Sequence, residues 1–404
     1  MNHGEGQEMQ RKLVSLGHSI APTAEDAEVV VVNSCVVIKA TELKILKRLR
    51  QLEAEGKKLI VTGCMASVQG EEVMVEFPEA LLLPPSNYKS FDETIVESYG
   101  TGDKKNATIA RFSGTTFIMP IAQGCLGHCS YCITRLARGE LRSYPLGELM
   151  EVAKDAIRLG AKELFVTAQD TACYGKDSNS NLAELMDGLC DLEGDFKIRI
   201  GMMNPDSLRG EEAVLARIIR HTKVYKFLHL PVQTGSDRLL KEMGRGYRVE
   251  EFEKQVKRIR HAVPRLTLST DVICGFPGES GEDHAETLEL LRRVKPNIVN
   301  VTRFSSRPGT LAESMSSQVV SRVAKDRSRE IAKLRFEIAS EINSILIGER
   351  LEATVTEEGK NGTTICRDCA FVPIAIQASL PLGSRVEVVI TESHPTHVVG
   401  RLAY

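Results

Sequence analysis

Between residues 117 and 304 the chain repeats one pattern six times, and that repeat limits the fold more than any other feature. Short apolar runs lie at 117–123, 163–169, 196–203, 227–233, 265–275 and 297–304. Helical patterns, such as 146–159 and 250–261, fill the intervals. The repeat is roughly 30 to 45 residues, and one parallel strand with its crossover helix needs at least ~30. Six such units predict a partial barrel, open on one side. Sites on such barrels lie at the carboxyl ends of the strands. Polar residues gather at those ends: a cysteine-rich loop after the first run, Gln169-Asp170 after the second and Asn204 after the third. Gln233-Thr-Gly-Ser236 follows the fourth and Gly275-Phe-Pro-Gly-Glu279 the fifth. Each motif alone is weak, and their alignment on one rim is the signal.

The cysteine-rich loop reads Gly124-Cys-Leu-Gly-His-Cys-Ser-Tyr-Cys-Ile133, which sets Cys125, Cys129 and Cys132 in a C-x3-C-x2-C array. Three thiolates this close cannot all pair as disulfides, but they can ligate one metal centre. Soft thiolates select zinc, copper(I) or iron–sulfur clusters. A closed zinc site wants four ligands, and His128 inside the loop is the zinc alternative. Three thiolates on a four-iron cluster leave one iron open for a substrate or cofactor.

The first hundred residues read as a separate α/β layer. Helical spacing at 5–16 and 39–55 brackets a buried strand at 28–33. A second strand at 58–62 and a short run at 80–83 follow. Cys35 and Cys64 fall just past the carboxyl ends of the two longer strands, the edge where open α/β sheets bind ligands. Buried cysteines with no role are the plain alternative. Residues 101–116 read as a polar linker. With 42% hydrophobic and 26% charged residues and a net charge of −2, the composition is that of a soluble protein without a uniformly basic surface. No signal peptide is evident, and no apolar run reaches the ~18 residues that could span a membrane. Ten cysteines without a small-domain disulfide pattern fit a reducing cytosol.

A long helix is expected over 318–347. Arg322, Lys325, Arg327, Arg329, Lys333 and Arg335 make it locally basic, able to meet phosphates or simply to line a solvated face. From 349 to 404 the pattern changes to short alternating runs at 350–355, 363–366, 385–391 and 398–402, parted by Gly and Pro. That predicts a small all-β barrel. Cys366 and Cys369 form a C-x2-C there, a weak zinc-knuckle pattern. Cys173, Cys190 and Cys274 read as packed thiols.

Along nearly its whole length the chain resembles the radical S-adenosylmethionine (SAM) methylthiotransferases. Val-Val-Asn-Ser-Cys35 and Val-Thr-Gly-Cys64-Met look like the family's N-terminal cysteine motifs. The C-x3-C-x2-C loop followed by Arg138-Gly-Glu-Leu-Arg-Ser143 is similar to its radical SAM signature. His229-Leu-Pro-Val-Gln-Thr-Gly-Ser236, Asp271-Val-Ile-Cys-Gly-Phe-Pro-Gly-Glu279 and Ser306-Arg-Pro-Gly-Thr310 match further blocks. The tail looks like a TRAM domain, the family's RNA-binding barrel. Gln169-Asp-Thr-Ala-Cys-Tyr-Gly175, Gly201-Met-Met-Asn-Pro205 and Val224-Tyr-Lys-Phe-Leu-His-Leu230 look most like the archaeal and eukaryotic branch, which acts on N6-threonylcarbamoyladenosine.

The resemblance implies an α/β architecture in three parts: an N-terminal α/β domain at 1–104, a radical SAM partial (βα)6 barrel at 111–342 and a TRAM barrel at 345–404. It implies methylthiolation of threonylcarbamoyladenosine in tRNA, just 3′ of the anticodon. The runners-up are isopentenyladenosine and an aspartate of a ribosomal protein. The rival outside enzymology is a tRNA-binding protein that has lost sulfur insertion. A [4Fe-4S] cluster on Cys125, Cys129 and Cys132 would cleave SAM to a 5′-deoxyadenosyl radical, which abstracts hydrogen from C2 of the adenine. A second [4Fe-4S] cluster on Cys35 and Cys64 would carry the sulfur, and a second SAM would methylate it. Gln169, Asp170, Arg199, Gln233, Ser236, Gly275 and Glu279 are the candidates for holding SAM. The partners implied are the tRNA anticodon stem-loop and an electron donor; a cytoplasmic monomer is expected. One departure stands out: the family uses three N-terminal cysteines and this chain shows two. Residues 1–8 look like those that normally follow the first, so the third ligand and its strand are expected before Met1. Should the domain truly lack that strand, its sheet would have an uncovered edge.

Overall fold

The computed structural model describes residues 2–102 and 114–403. Met1 and most of the linker expected at 101–116 lie outside the described residues. The chain forms two compact units. One holds residues 2–102, 123–142 and 305–313; the other holds 114–122, 143–304 and 314–403.

The first unit is a three-layer α/β sandwich. Its parallel sheet runs β1 (Val29–Ser34), β2 (Lys58–Gly63), β3 (Leu81–Leu83). In the middle strand Leu59 to Gly63 are all buried, because both faces are covered. Helix α1 (Asn2–Ser15) and the helix Phe91–Tyr99 pack Met9, Phe91 and Ile95 against Ile60 and Leu83 on one face. On the other, α2 (Lys39–Ala54), α3 (Cys64–Val68) and α4 (Ile133–Arg138) join Leu49, Leu52, Met65, Phe77, Ile133 and Ala137 in one core around Val61. Strands β1 and β3 are the sheet's two edges, and a groove of about 840 Å³ lined by α1 and residues of 18–31 runs beside β1.

The second unit contains the six parallel strands that the repeat predicts. They are β4 (Thr116–Pro120), β5 (Glu163–Thr167), β6 (Lys197–Ile200), β7 (Phe227–His229), β8 (Thr267–Cys274) and β9 (Ile298–Arg303). They pair as β4-β5-β6 and β7-β8-β9. Isolated backbone bonds join the halves: Tyr225 N to Ile198 O at 2.9 Å and Met203 N to His229 O at 2.9 Å. The long basic helix is α5 (Ser321–Ser344). Two of its cations turn inward: Arg327 Nη1 donates to Glu279 Oε2 at 2.7 Å, and Arg335 Nη1 donates to Val299 O at 2.8 Å.

The tail is a closed barrel of β10 (Arg350–Glu358), β11 (Thr364–Asp368), β12 (Pro373–Ile376), β13 (Arg385–Ser393) and β14 (Val398–Leu402). It docks on the amino-terminal ends of the parallel strands. Thr115 Oγ1 donates to Thr356 O at 2.8 Å, Lys226 N to Cys369 O at 2.8 Å and Arg265 Nη2 to Asp368 Oδ2 at 2.7 Å. Phe371 enters among Phe165, Tyr225 and Phe227 with edge-on ring contacts at 5.7, 4.8 and 5.2 Å. The carboxyl ends of the strands therefore stay clear of the tail.

Candidate cluster and cofactor site

All five candidate ligand cysteines belong to the first unit, and all are free thiols. Cys35 follows β1 and Cys64 follows β2, so their register neighbours Ser34 and Gly63 face each other across the ladder. Ser34 ties the two ends together: its hydroxyl donates to Thr62 O and accepts from Met65 N at 3.0 Å. Gly63 is obligatory there. Its φ is +79°, and a Cβ would meet Ser34 O at 2.3 Å. Burial pushes the Cys64 thiol up, while the Arg138 guanidinium beside it pulls the other way.

Arg138 is the last residue of α4, the short helix that follows Cys132. It forms a buried ion pair with Glu5 of α1, Nη2 to Oε2 at 2.9 Å. A second buried pair, Arg307 to Glu42, anchors segment 305–313 to α2. From that segment Ala312 N donates to Ser130 O at 2.9 Å inside the cysteine loop. Arg135 clasps the loop from within, donating Nη1 to Gly127 O at 2.6 Å and to His128 Nδ1 at 2.8 Å. An arginine only donates, so His128 Nδ1 is the acceptor and is spent.

The loop fits an iron–sulfur ligand set. Cys125, Cys129 and Cys132 are each half-buried. Gly127 N already donates to Cys125 Sγ at 3.2 Å. Backbone N–H groups of Arg135 and Thr134 lower the Cys132 thiol, although burial and nearby Cys129 raise it on balance. Hydrogen bonds to thiolate sulfur are what cluster sites use to tune potential. Gly124, at φ +79°, lets the loop pass Glu140 O, which a Cβ would meet at 1.9 Å. Among the described residues no group of three or more His, Cys, Asp or Glu side chains is placed to hold a single metal ion. Cys366 faces the tail barrel's core. Cys173, Cys190 and Cys274 are buried, and burial pushes their thiols up to about 12, 11 and 12.

The seven residues expected to hold SAM lie in the second unit, and their surroundings divide them. Gln169, just past β5, has a buried Oε1 with no partner, an acceptor waiting for a donor. Gln233, just past β7, adopts φ +72°, a left-handed conformation that a side chain rarely takes without a local purpose. Asp170 is committed internally, its Oδ1 accepting from Ala172 N and Asn204 N, each at 3.1 Å. Ser236 Oγ donates to Asp283 Oδ1 at 2.6 Å. Glu279 accepts from Gly275 N at 2.6 Å as well as from Arg327, which latches the Gly275–Glu279 turn to α5. Arg199 lies within the strand. Its guanidinium sits over Phe227 at 4.4 Å, Phe371 at 5.0 Å and Phe165 at 5.2 Å. Burial there, helped by Arg367, pushes it down to about 10. Arg199 thus belongs to the floor of the half-barrel, not to its rim.

Comparison with known proteins gives three family matches: the Radical SAM superfamily over residues 119–291, Uncharacterized protein family UPF0004 over 1–83 and the TRAM domain over 346–403. A protein of Pyrococcus horikoshii named "Probable threonylcarbamoyladenosine tRNA methylthiotransferase" is 43% identical over 377 residues, covering 89% of this chain and 87% of that one. The human "Threonylcarbamoyladenosine tRNA methylthiotransferase" is 32% identical over 411 residues, covering 97% of this chain and 70% of that one. Among solved structures, the radical S-adenosylmethionine methyltransferase TsrM from Kitasatospora setae is similar in fold. Its TM-score is 0.54 at 12% identity, covering 82% of this chain and 68% of that one. No helix among the described residues is long and apolar enough to cross a membrane.

Proposed function

The chain belongs to the threonylcarbamoyladenosine tRNA methylthiotransferase family, and from that premise we propose how its residues divide the work. It is a radical SAM transferase that methylthiolates N6-threonylcarbamoyladenosine in tRNA, just 3′ of the anticodon. The observation that carries the reading is the packing of both thiol sets in one unit, with α3 after Cys64 lying against α4 after Cys132. A radical enzyme without sulfur insertion needs only the second set.

Cys125, Cys129 and Cys132 hold the radical SAM cluster, and Arg135 and Gly127 fix the loop that presents them. Cluster and SAM supply the one-electron chemistry needed at C2 of adenine, a position with no acidic proton and no leaving group. Cys35 and Cys64 hold a second, sulfur-carrying cluster, pre-aligned by Ser34. Gln169, Gln233 and the backbone at Gly275 hold SAM, while Asp170, Ser236 and Glu279 shape the turns that do so. The tail barrel takes part in binding the anticodon stem-loop. We place the enzyme in the cytoplasm as a monomer, and divide it functionally at 1–104, 111–342 and 345–404.

The test is anaerobic reconstitution of the full chain with iron and sulfide, followed by SAM, a reductant and tRNA carrying threonylcarbamoyladenosine. Mass spectrometry of the nucleosides should find the 2-methylthio product. Cys125→Ala should abolish 5′-deoxyadenosine, whereas Cys35→Ala or Cys64→Ala should leave it and lose only the methylthio nucleoside. Wild-type turnover of isopentenyladenosine instead would refute the substrate assignment.

A further inference from the structure

Three strands of the half-barrel place one polar group on its inner wall. Along β8, Leu268, Thr270, Val272 and Cys274 are buried, whereas Asp271 and Ile273 on the opposite face are only half-buried. On β9, Val299 is buried and Asn300 is exposed. Asp271 and Asn300 are register partners, and His229 stands on β7 opposite Ser269. Asp271 Oδ1 takes two hydrogen bonds, from His229 Nε2 at 2.8 Å and Asn300 Nδ2 at 2.7 Å. An ionised carboxylate can only accept, so Nε2 carries the proton and Nδ1 is left as the second ring nitrogen.

His229 Nδ1 has no partner among the described residues, and the side chain is 17% exposed. The layer beneath is closed by Arg199, Phe165, Phe227 and Phe371. The group is therefore a fixed, one-sided hydrogen-bonding wall above an aromatic floor. His229 Nε2 is committed to Asp271, and Nδ1 remains for a ligand.

We propose that His229 is a specificity-determining residue, whose Nδ1 accepts a hydrogen bond from an O–H or N–H of the polar N6 substituent of the target adenine. Asp271 and Asn300 are positioning residues that fix its tautomer and ring plane. This rests on the proposed function, because it assigns the part of that substrate the wall would read. Plain adenosine lacks that substituent and leaves Nδ1 without the bond, so the wall distinguishes the modified from the unmodified base.

The experiment uses the reconstituted full chain and anticodon stem-loops carrying threonylcarbamoyladenosine or plain adenosine. Binding of both and turnover of the first are measured for wild type, His229→Ala, His229→Gln and Asp271→Asn. The wild type should prefer the modified loop. His229→Ala should raise KM for it tenfold or more and bind the plain loop as before. RNA-independent 5′-deoxyadenosine formation should also be unchanged. Asp271→Asn should show a smaller rise, and His229→Gln, which keeps an acceptor, should recover part of the preference. Equal losses on both loops, or an unchanged KM in His229→Ala, overturn the inference. A wild type inactive on the modified loop overturns the proposed function itself, so the two failures are told apart.

Discussion

Gly275→Ala tests the turn that ends β8. The residue sits at φ +77°, and a Cβ there would lie 2.4 Å from the Cβ of Ala324 on α5. Carbon–carbon contacts settle at ~3.5–4.0 Å, so α5 or the turn must retreat by about 1 Å or more. Overpacking of this kind costs ~1–3 kcal/mol, and the left-handed backbone adds ~1–2 kcal/mol for a residue with a side chain. Together they predict a loss of about 2–5 kcal/mol. The next atoms are farther off, Ala324 Cα at 3.4 Å and Val319 Cβ at 4.0 Å. Removing one methyl group should therefore relieve the clash. Ala324→Gly alone costs up to about 1 kcal/mol of helix propensity. Combined with Gly275→Ala it should return the overpacking share but not the backbone share, a favourable coupling of ~1–3 kcal/mol. Urea midpoints of the wild type, both single variants and the double variant measure this, provided the slopes agree. Strict additivity, or a Gly275→Ala loss below about 1 kcal/mol, would refute the account of why this turn needs glycine.

Two further outcomes follow from the second unit. Phe371→Ala removes the ring that docks the tail barrel among Phe165, Tyr225 and Phe227 and should cost ~3–5 kcal/mol, with Phe371→Leu costing clearly less. Urea unfolding reads it, and a loss below about 1 kcal/mol would mean the tail is not anchored there. Burial alone would raise the Asp283 carboxyl, but hydrogen bonds from Arg238, Ser236 and Ser280 overcome it and hold the group well below its ordinary value. Its stabilisation is therefore full above the unfolded carboxyl pKa of ~3.9 and fades as pH falls below that. The deficit of Asp283→Asn seen at neutral pH should shrink below about pH 4. A deficit that stays constant with pH would contradict the sign.

How much of this was legible in the sequence depends on the range of the interaction. Apolar runs place strands at 163–169 and 227–233; β5 and β7 begin at those same residues but stop at Thr167 and His229, where the chain turns into the loops that carry Gln169 and Gln233. Helix α2, expected at 39–55, ends one residue earlier because Gly56 punctuates it. Strand β12 was missed: it has four residues, opens on Pro373, which has no N–H for the ladder, and alternates too briefly to stand out. At the site, the motifs showed which residues cluster but not where their hydrogen bonds point. Asp170, Ser236 and Glu279 look like ligand contacts as types, yet spend their oxygens on neighbours. The Glu5–Arg138 pair joins residues 133 apart and leaves no local signature. Nor does the pairing of His229 with Asp271, 42 residues on, which only the strand register brings together.

The axis of the half-barrel sorts these interactions by duty. At the amino-terminal ends of the strands, Thr115, Lys226 and Arg265 serve the tail barrel. In the middle, the aromatic floor around Arg199 gives way to the His229–Asp271–Asn300 wall. At the carboxyl ends stand Gln169, Gln233 and the latched turn at Gly275. Among the described residues of the half-barrel, unmet hydrogen-bonding capacity lies both in the floor, at Arg199 Nε, and at the carboxyl ends, at Gln169 Oε1. Phe371 packs across the amino-terminal end, so a polar group left unpaired higher up has the open end from which to find a partner. The face of the tail barrel that carries Thr356, Asp368 and Phe371 is thereby committed to the strands.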